Sequence, residues 1–234
     1  MGGKIDCYLD CIRKLTAPAS FYGYLAYKHL REQRATLRTH DIEVEFHPVF
    51  LGGINVLSGN KPPWSLPAKA VYGAYDNARA QAYFGVHNIT TPDFFPILSI
   101  LPQRAMLYVK DTFSNEKFED VYGAVFRATW IAPHRDLSKV DILQTFLSEH
   151  FTPAETTAIL AAAASPAYKQ KLSDVTKRVV EEQGAFGCPW FWVVNSAGKG
   201  EPFFGSDRFH FMWAFLGLPW EDVKLLPKDA KAHL

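Results

Sequence analysis

The stretch PWFWVVNSAGKGEPFFG, Pro189 to Gly205, decides the fold. Two aromatic, β-rich runs, Pro189 to Asn195 and Glu201 to Gly205, flank SAGKG, and turn residues between two such runs predict a β-hairpin. SDRFHFMWAFLG follows and opens a final helix, so this end of the chain reads ββα. At the other end KIDCYLD (Lys4 to Asp10) alternates Ile5, Cys7 and Leu9 with Asp6, Tyr8 and Asp10, the period of a strand with one more apolar face. After Pro18, SFYGYLAYKHLREQRATL sets Phe21, Tyr24, Leu25 and Lys28 at helical spacing, with Ser20 as a first-turn or capping hydroxyl. IEVEFHPVFL (Ile42 to Leu51) returns as a strand. The beginning is therefore a βαβ unit, with a right-handed crossover expected.

Between the two ends, GGINVLSGNKPPW (Gly52 to Trp64) has the Gly, Asn, Ser and Pro content of a loop. From about Leu66 to Gly184 the pattern is helical. Ala68 to Phe84, Phe94 to Val109 and Lys117 to Ala132 carry it first, the last with Phe118, Val121, Tyr122, Val125, Phe126 and Trp130 on one stripe. Thr152, Pro153 and Glu155 make a capping box with Pro at the first helical position, Ser165-Pro166 repeats the Pro start, and Gly184 stops the last helix. The order βαβ, helices, ββα predicts an α/β, thioredoxin-like fold with an all-helical domain inserted between its halves. Residues 1–65 and 185–234 would form the first unit and 66–184 the insertion.

The chain has 234 residues, 48% of them hydrophobic and 15% aromatic, with a net charge of +1. That balance suits a globular protein and gives no electrostatic footprint for nucleic acid. No apolar run reaches the length of a membrane span, and MGGKIDCYLD places acids where a secretory core would lie, so an intracellular protein acting on a small molecule is expected. Three cysteines, Cys7, Cys11 and Cys188, make no disulfide framework. On one strand Cys7 and Cys11 would stand roughly 13 Å apart, beyond disulfide reach. The eight histidines show no metal-ligand spacing, so no metal is expected.

Three constellations could carry chemistry. FGCP, Phe186 to Pro189, enters a strand through a proline; this is either an ordinary turn or a cis proline whose preceding residue offers its main chain to an extended peptide. GSDR, Gly205 to Arg208, reads either as an N-cap serine with a dipole-favoured acid or as a pair in which Ser206 takes a carboxylate and Asp207 an ammonium. SGNKPPW, Ser58 to Trp64, offers the amide of Asn60 and the cation of Lys61 on a loop.

CYLD, APASFYGY, SGNKPPW, GAFGCP and FFGSDR in this order resemble the kappa-class glutathione transferases and the similar 2-hydroxychromene-2-carboxylate isomerases, which share a fold with DsbA-type disulfide oxidases. The resemblance spans nearly the whole chain. It implies a glutathione-dependent transferase or isomerase acting on a small aromatic or enone-type electrophile through the bound thiolate, and a homodimer. It also implies glutathione-binding roles for Asn60, Lys69, Cys188, Pro189, Ser206 and Asp207, with Asp76 reaching across a dimer interface. Phe21 and Trp64 would edge the substrate pocket, with Tyr22, Tyr24 and Tyr72 on flanking segments.

The departure is at APAS, Ala17 to Ser20, where the resembled family reads S-P-Y-S and its first serine donates to the glutathione sulfur. Extra residues around RKLT precede it. Thr16 or Ser20 would then supply the hydroxyl, or backbone amides and the helix end would suffice. The alternative is a protein that binds glutathione without activating it. A hydroxyl there favours thiolate, and losing one hydrogen bond to an anion costs roughly 1.5 to 3 kcal/mol. Ala232-His233-Leu234 has the form of a type 1 peroxisomal address, so peroxisome, otherwise cytoplasm, is the expected location.

Overall fold

The computed structural model describes residues 2–11, 21–61, 66–94 and 98–221, with no statement made for the Ala70 side chain. Strands β1 (Gly3–Leu9), β2 (Ile42–Pro48), β3 (Trp190–Val194) and β4 (Gly200–Phe204) form one sheet in the order β2-β1-β3-β4. β1 runs parallel to β2, with Cys7 opposite Phe46, and antiparallel to β3, with Cys7 opposite Phe191. β3 and β4 are the antiparallel hairpin, Trp190 opposite Phe204. Its turn is held by Asn195, whose side-chain oxygen accepts from the N–H groups of Ala197 and Lys199, both at 3.1 Å.

Helix α1 (Tyr22–Thr39) joins β1 to β2, burying Leu25, Ala26 and Leu30 against the sheet, and α9 (Phe209–Phe215) follows β4. The helices between β2 and β3 are α2 (Leu51–Ser58), α3 (Pro67–Tyr83), α4 (Ile100–Thr112), α5 (Asn115–Trp130), α6 (Val140–Ser148), α7 (Pro153–Ala164) and α8 (Pro166–Gln183). The alternation in β1 carries Ile5, Cys7 and Leu9 into a core completed by Phe46, Tyr122, Phe126 and Trp130. The α/β, thioredoxin-like class follows from this sheet order and its crossovers.

The helix signals hold in detail. Thr152 and Glu155 make the reciprocal capping box, and the Ser165 side chain accepts from the N–H of Tyr168. Gly184 ends α8 at φ 73°, a left-handed cap that costs glycine little.

Three readings are corrected. Gly52 to Trp64 is not a loop from its start, because α2 occupies Leu51–Ser58. Its glycines mark close packing: a Cβ on Gly52 would lie 2.5 Å from the Phe50 ring, and one on Gly53 would lie 3.0 Å from Thr176. The helix read from Phe94 starts at Ile100, and the strand from Ile42 stops at Pro48 rather than Leu51.

Candidate active site

The candidate site is assembled at the end of β1, on a buried polar bracket. Asp10, one residue past the strand, is buried, and its carboxylate accepts from the Leu51 N–H at 2.8 Å and the Ser99 hydroxyl at 2.9 Å. A carboxylate at a helix N-terminus answers both an orphan N–H group and the dipole, so Asp10 caps α2 from beyond the end of β1. Gln103 on α4 is wholly buried and donates to the carbonyls of Leu9 at 2.8 Å and Val49 at 2.6 Å. Its side-chain oxygen accepts from the Cys11 thiol at 3.2 Å. Tyr122 donates to the Leu9 carbonyl at 2.8 Å, and the Trp130 indole donates to the Cys11 carbonyl at 3.1 Å. Three helix side chains thus fix the strand end that leads to the joint before α1.

Burial pushes the thiols of Cys7 and Cys11 well up, so both stay protonated. A fully buried thiol held that way is a poor redox nucleophile.

The turn before β3 is the second component. The Cys188–Pro189 peptide is cis. The Asn60 amide, at the end of the segment after α2, donates to the Phe186 carbonyl at 2.6 Å, and the Gly205 N–H donates to the Pro189 carbonyl at 3.1 Å. These two hydrogen bonds bring the loop amide, the cis-proline turn and the turn before α9 together. Cys188 is half-buried. The Phe186 ring packs on Phe204, centroids 4.6 Å apart, and a Cβ on Gly187 would meet that same ring.

In the turn before α9, Ser206 is buried, while the Asp207 side chain is 68% exposed and pairs with Arg208 at 2.6 Å. Ser206 is not the N-cap of α9: that position is Arg208, with no side-chain cap bond. The helix starts too late for the serine to cap it, which removes the plain capping reading.

Asp76, on α3, accepts from the Tyr22 hydroxyl at 2.5 Å and lies 3.3 Å from the Tyr72 hydroxyl, so the acid expected to cross a dimer interface is engaged within its own chain. Lys69 stands exposed in the first turn of α3. Phe21 is fully buried and stacks on Tyr22, so it offers no pocket edge; the α1 stripe turns it into the core. Tyr24 is likewise buried, against Phe126. Thr16, Ala17, Ser20, Trp64 and the terminal Ala232-His233-Leu234 lie outside the described residues.

Sequence reasoning passed over Asp10 and Gln103. The available signal was polarity out of place: an acid ending an apolar strand, and a glutamine among Pro102, Ala105 and Met106, which are all buried. Elsewhere Asp6, Glu45 and His47 place three ligand atoms within 4.8 Å of one another. Lys4 and Lys110 each lie 2.7 Å from Glu45, so two ammonium groups already meet the charge a metal ion would answer.

The sequence matches the DSBA-like thioredoxin domain over residues 18–217, and the chain belongs to that family. Among curated relatives it is 25% identical over 218 residues to glutathione S-transferase kappa 1 of Caenorhabditis elegans, covering 92% of each chain. It is 27% identical over 188 residues to the human glutathione S-transferase kappa 1, covering 77% of this chain and 80% of the relative. The fold matches a solved 2-hydroxychromene-2-carboxylate isomerase with a TM-score of 0.68 at 20% identity, covering 92% of this chain and 94% of that one. It also matches the cytosolic disulfide reductase DsbM of Pseudomonas aeruginosa, solved with GSH, with a TM-score of 0.56 at 15% identity over 92% and 97% of the chains.

Proposed function

We propose that this chain is a glutathione-dependent enzyme, transferring glutathione to a small electrophile or isomerising an enone-type substrate by reversible thiol addition. The observation that carries the reading is the convergence of Asn60, the cis Cys188–Pro189 turn and the Gly205–Asp207 turn, linked by the Asn60–Phe186 and Gly205–Pro189 hydrogen bonds. Relatives named for kappa-class glutathione transfer support it.

The donor set fits the ligand's chemistry. Asp207 offers an exposed carboxylate to the γ-glutamyl ammonium, Ser206 a hydroxyl to its carboxylate, Asn60 an amide, and the main chain at Cys188 an edge for the cysteinyl unit. When bound, glutathione supplies the nucleophile as its thiolate. The protein's part is to orient that sulfur at the start of α1 and favour its anionic form. Thr16 and Ser20 are the proposed hydroxyl donors, since Ala17 has none.

The test is an ultraviolet difference titration of the thiolate band with glutathione across pH, on wild type, Thr16→Ala and Ser20→Ala. A bound thiol pKa well below the free value, lost in one variant, supports the enzyme and names its hydroxyl. Saturable binding with an unshifted thiol would instead mean a glutathione-binding protein that does not activate the ligand.

A homodimer is part of the proposal, supported by Val71, Tyr72 and Tyr75, which are exposed on α3. Light scattering behind size exclusion checks it. Among the described residues no helix is long and apolar enough to cross a membrane. The peroxisomal reading of Ala232-His233-Leu234 is tested by a fluorescent fusion with and without that tripeptide: punctate signal lost on deletion supports it, and diffuse signal in both removes it.

A further inference from the structure

The sheet has two outer strands, β2 and β4, and among the described residues neither has a further strand beside it. A bare edge offers unpaired N–H and C=O groups to any strand that meets it. β4 answers this in its own sequence: Pro202, opposite Trp192, has no N–H, and a proline on an outer strand breaks the ladder that a newcomer would need. β2 has no proline before its last residue, and buried Ile42, Val44 and Phe46 alternate with Glu43, Glu45 and His47. It is the edge better suited to pairing.

Two helices each send a cation to that strand. The Arg34 guanidinium of α1 donates to the Val44 carbonyl at 3.1 Å, and the Lys110 ammonium of α4 donates to the Phe46 carbonyl at 2.7 Å. Carbonyls two residues apart point to the same side of a strand, so these are neighbouring positions along one edge. Lys110 straddles it. Its nitrogen also lies 2.7 Å from Glu45 and 2.9 Å from His47 Nδ1, whose side chains share one face of the strand, and 5.8 Å from the ring of Phe118, which packs in the same core as Phe46 on the other. An ammonium has three hydrogens, and Glu45, Phe46 and His47 take all three. Arg34 is aimed in turn by the buried Glu119 carboxylate of α5, 2.7 Å away. With side chains only 16% and 19% exposed, Lys110 and Arg34 are packed in place.

We propose that Arg34 and Lys110 guard the sheet: by occupying the Val44 and Phe46 carbonyls they close the outer edge of β2 to a second copy of this chain. A second copy is the partner the edge fits, because two β2 strands can meet across a two-fold axis with Ile42, Val44 and Phe46 of each continuing one face, whereas Pro202 keeps β4 out of such a ladder. Association of the chain is thereby left to its helices. The role is independent of the glutathione reading.

Light scattering behind size exclusion over a range of concentrations tests it on wild type, Arg34→Ala, Lys110→Met and the double variant. Near-ultraviolet circular dichroism checks the fold, and hydrogen exchange is read on the peptide that spans β2. The double variant should form a species of about twice the wild-type mass that grows with concentration, keep the native dichroism and gain protection in β2. Lys110→Arg, which keeps a cation with donors, should behave as wild type. Wild-type mass in a natively folded double variant overturns the proposal, and so does a larger species whose β2 amides gain no protection. Should the double variant lose its native dichroism, Lys110→Met alone decides. A larger species with the native fold there upholds the proposal; wild-type mass, or loss of the fold there too, overturns it, the cations then holding the fold rather than closing the edge.

Discussion

The Asn60 side chain donates to the Phe186 carbonyl at 2.6 Å, across 126 residues of sequence. That bond ties the end of the α2 segment to the turn that precedes the cis peptide. Asn60→Asp would set a carboxylate oxygen against the carbonyl and part the two. Because the contact is exposed, unfolding free energy should change by less than about 1 kcal/mol. Glutathione affinity should fall about tenfold by calorimetry; equal affinity in the variant would take Asn60 out of the site.

Asp10→Ala should be the most damaging single change at the bracket. It strips the Leu51 N–H and the Ser99 hydroxyl of a buried acceptor. Each orphaned group costs about 1 to 3 kcal/mol, so urea unfolding should show a loss of about 3 kcal/mol, read as a lower midpoint at unchanged slope. A shift under about 1 kcal/mol would mean that α2 is capped by something else.

The three thiols should differ in reactivity. Cys7 and Cys11 are buried, with pKa values pushed up by that burial, whereas Cys188 is half-buried. A colorimetric disulfide reagent should label Cys188 in the native protein and all three thiols after denaturation. S-methylglutathione, which has no thiol of its own, should slow labelling of Cys188. No slowing at saturating ligand would separate the cis-proline turn from the binding site.

His29 gives the fold a pH dependence. Its imidazole packs on Phe209, with ring centroids 4.3 Å apart, and on Phe84, at 5.5 Å. Burial lowers its pKa from 6.5 to about 4. A depressed folded value means that the unfolded chain takes up the proton first. The stability held by neutral His29 is therefore complete above pH 6.5 and is lost as pH falls toward about 4. His47 and His150 are also lowered by burial and act in the same direction. Thermal unfolding of His29→Gln should start from a lower Tm near neutral pH but lose less of it on acidification than wild type. Parallel curves would show that His29 does not set the slope.

The sheet was legible because β1 and β2 alternate with a period of two and because β3 and β4 are aromatic runs joined by a turn with its own chemistry at Asn195 and Gly198. The capping box at Thr152 and Glu155 was legible for the same reason: both ends of its hydrogen bonds lie within four residues. What did not show was set by distance along the chain. Gly52 and Gly53 resemble loop residues until Phe50 and Thr176 are seen against them. Ser206 resembles a cap until α9 starts three residues later. The Tyr22–Asp76 contact joins residues 54 positions apart, and no local pattern encodes it. Phe21 was misplaced because an aromatic at a helix start carries no sign of which way it faces.

Gln103 bears on modularity. It belongs to a helix in the middle of the chain, yet its amide hydrogens complete the backbone at the ends of two segments, Leu9 and Val49. A minimal protein made by splicing β2 directly to β3 would leave those carbonyls, and the carbonyl of Cys11 that Trp130 serves, facing a void. The helices of this chain can therefore be exchanged between scaffolds only if the incoming set brings a donor to the same place.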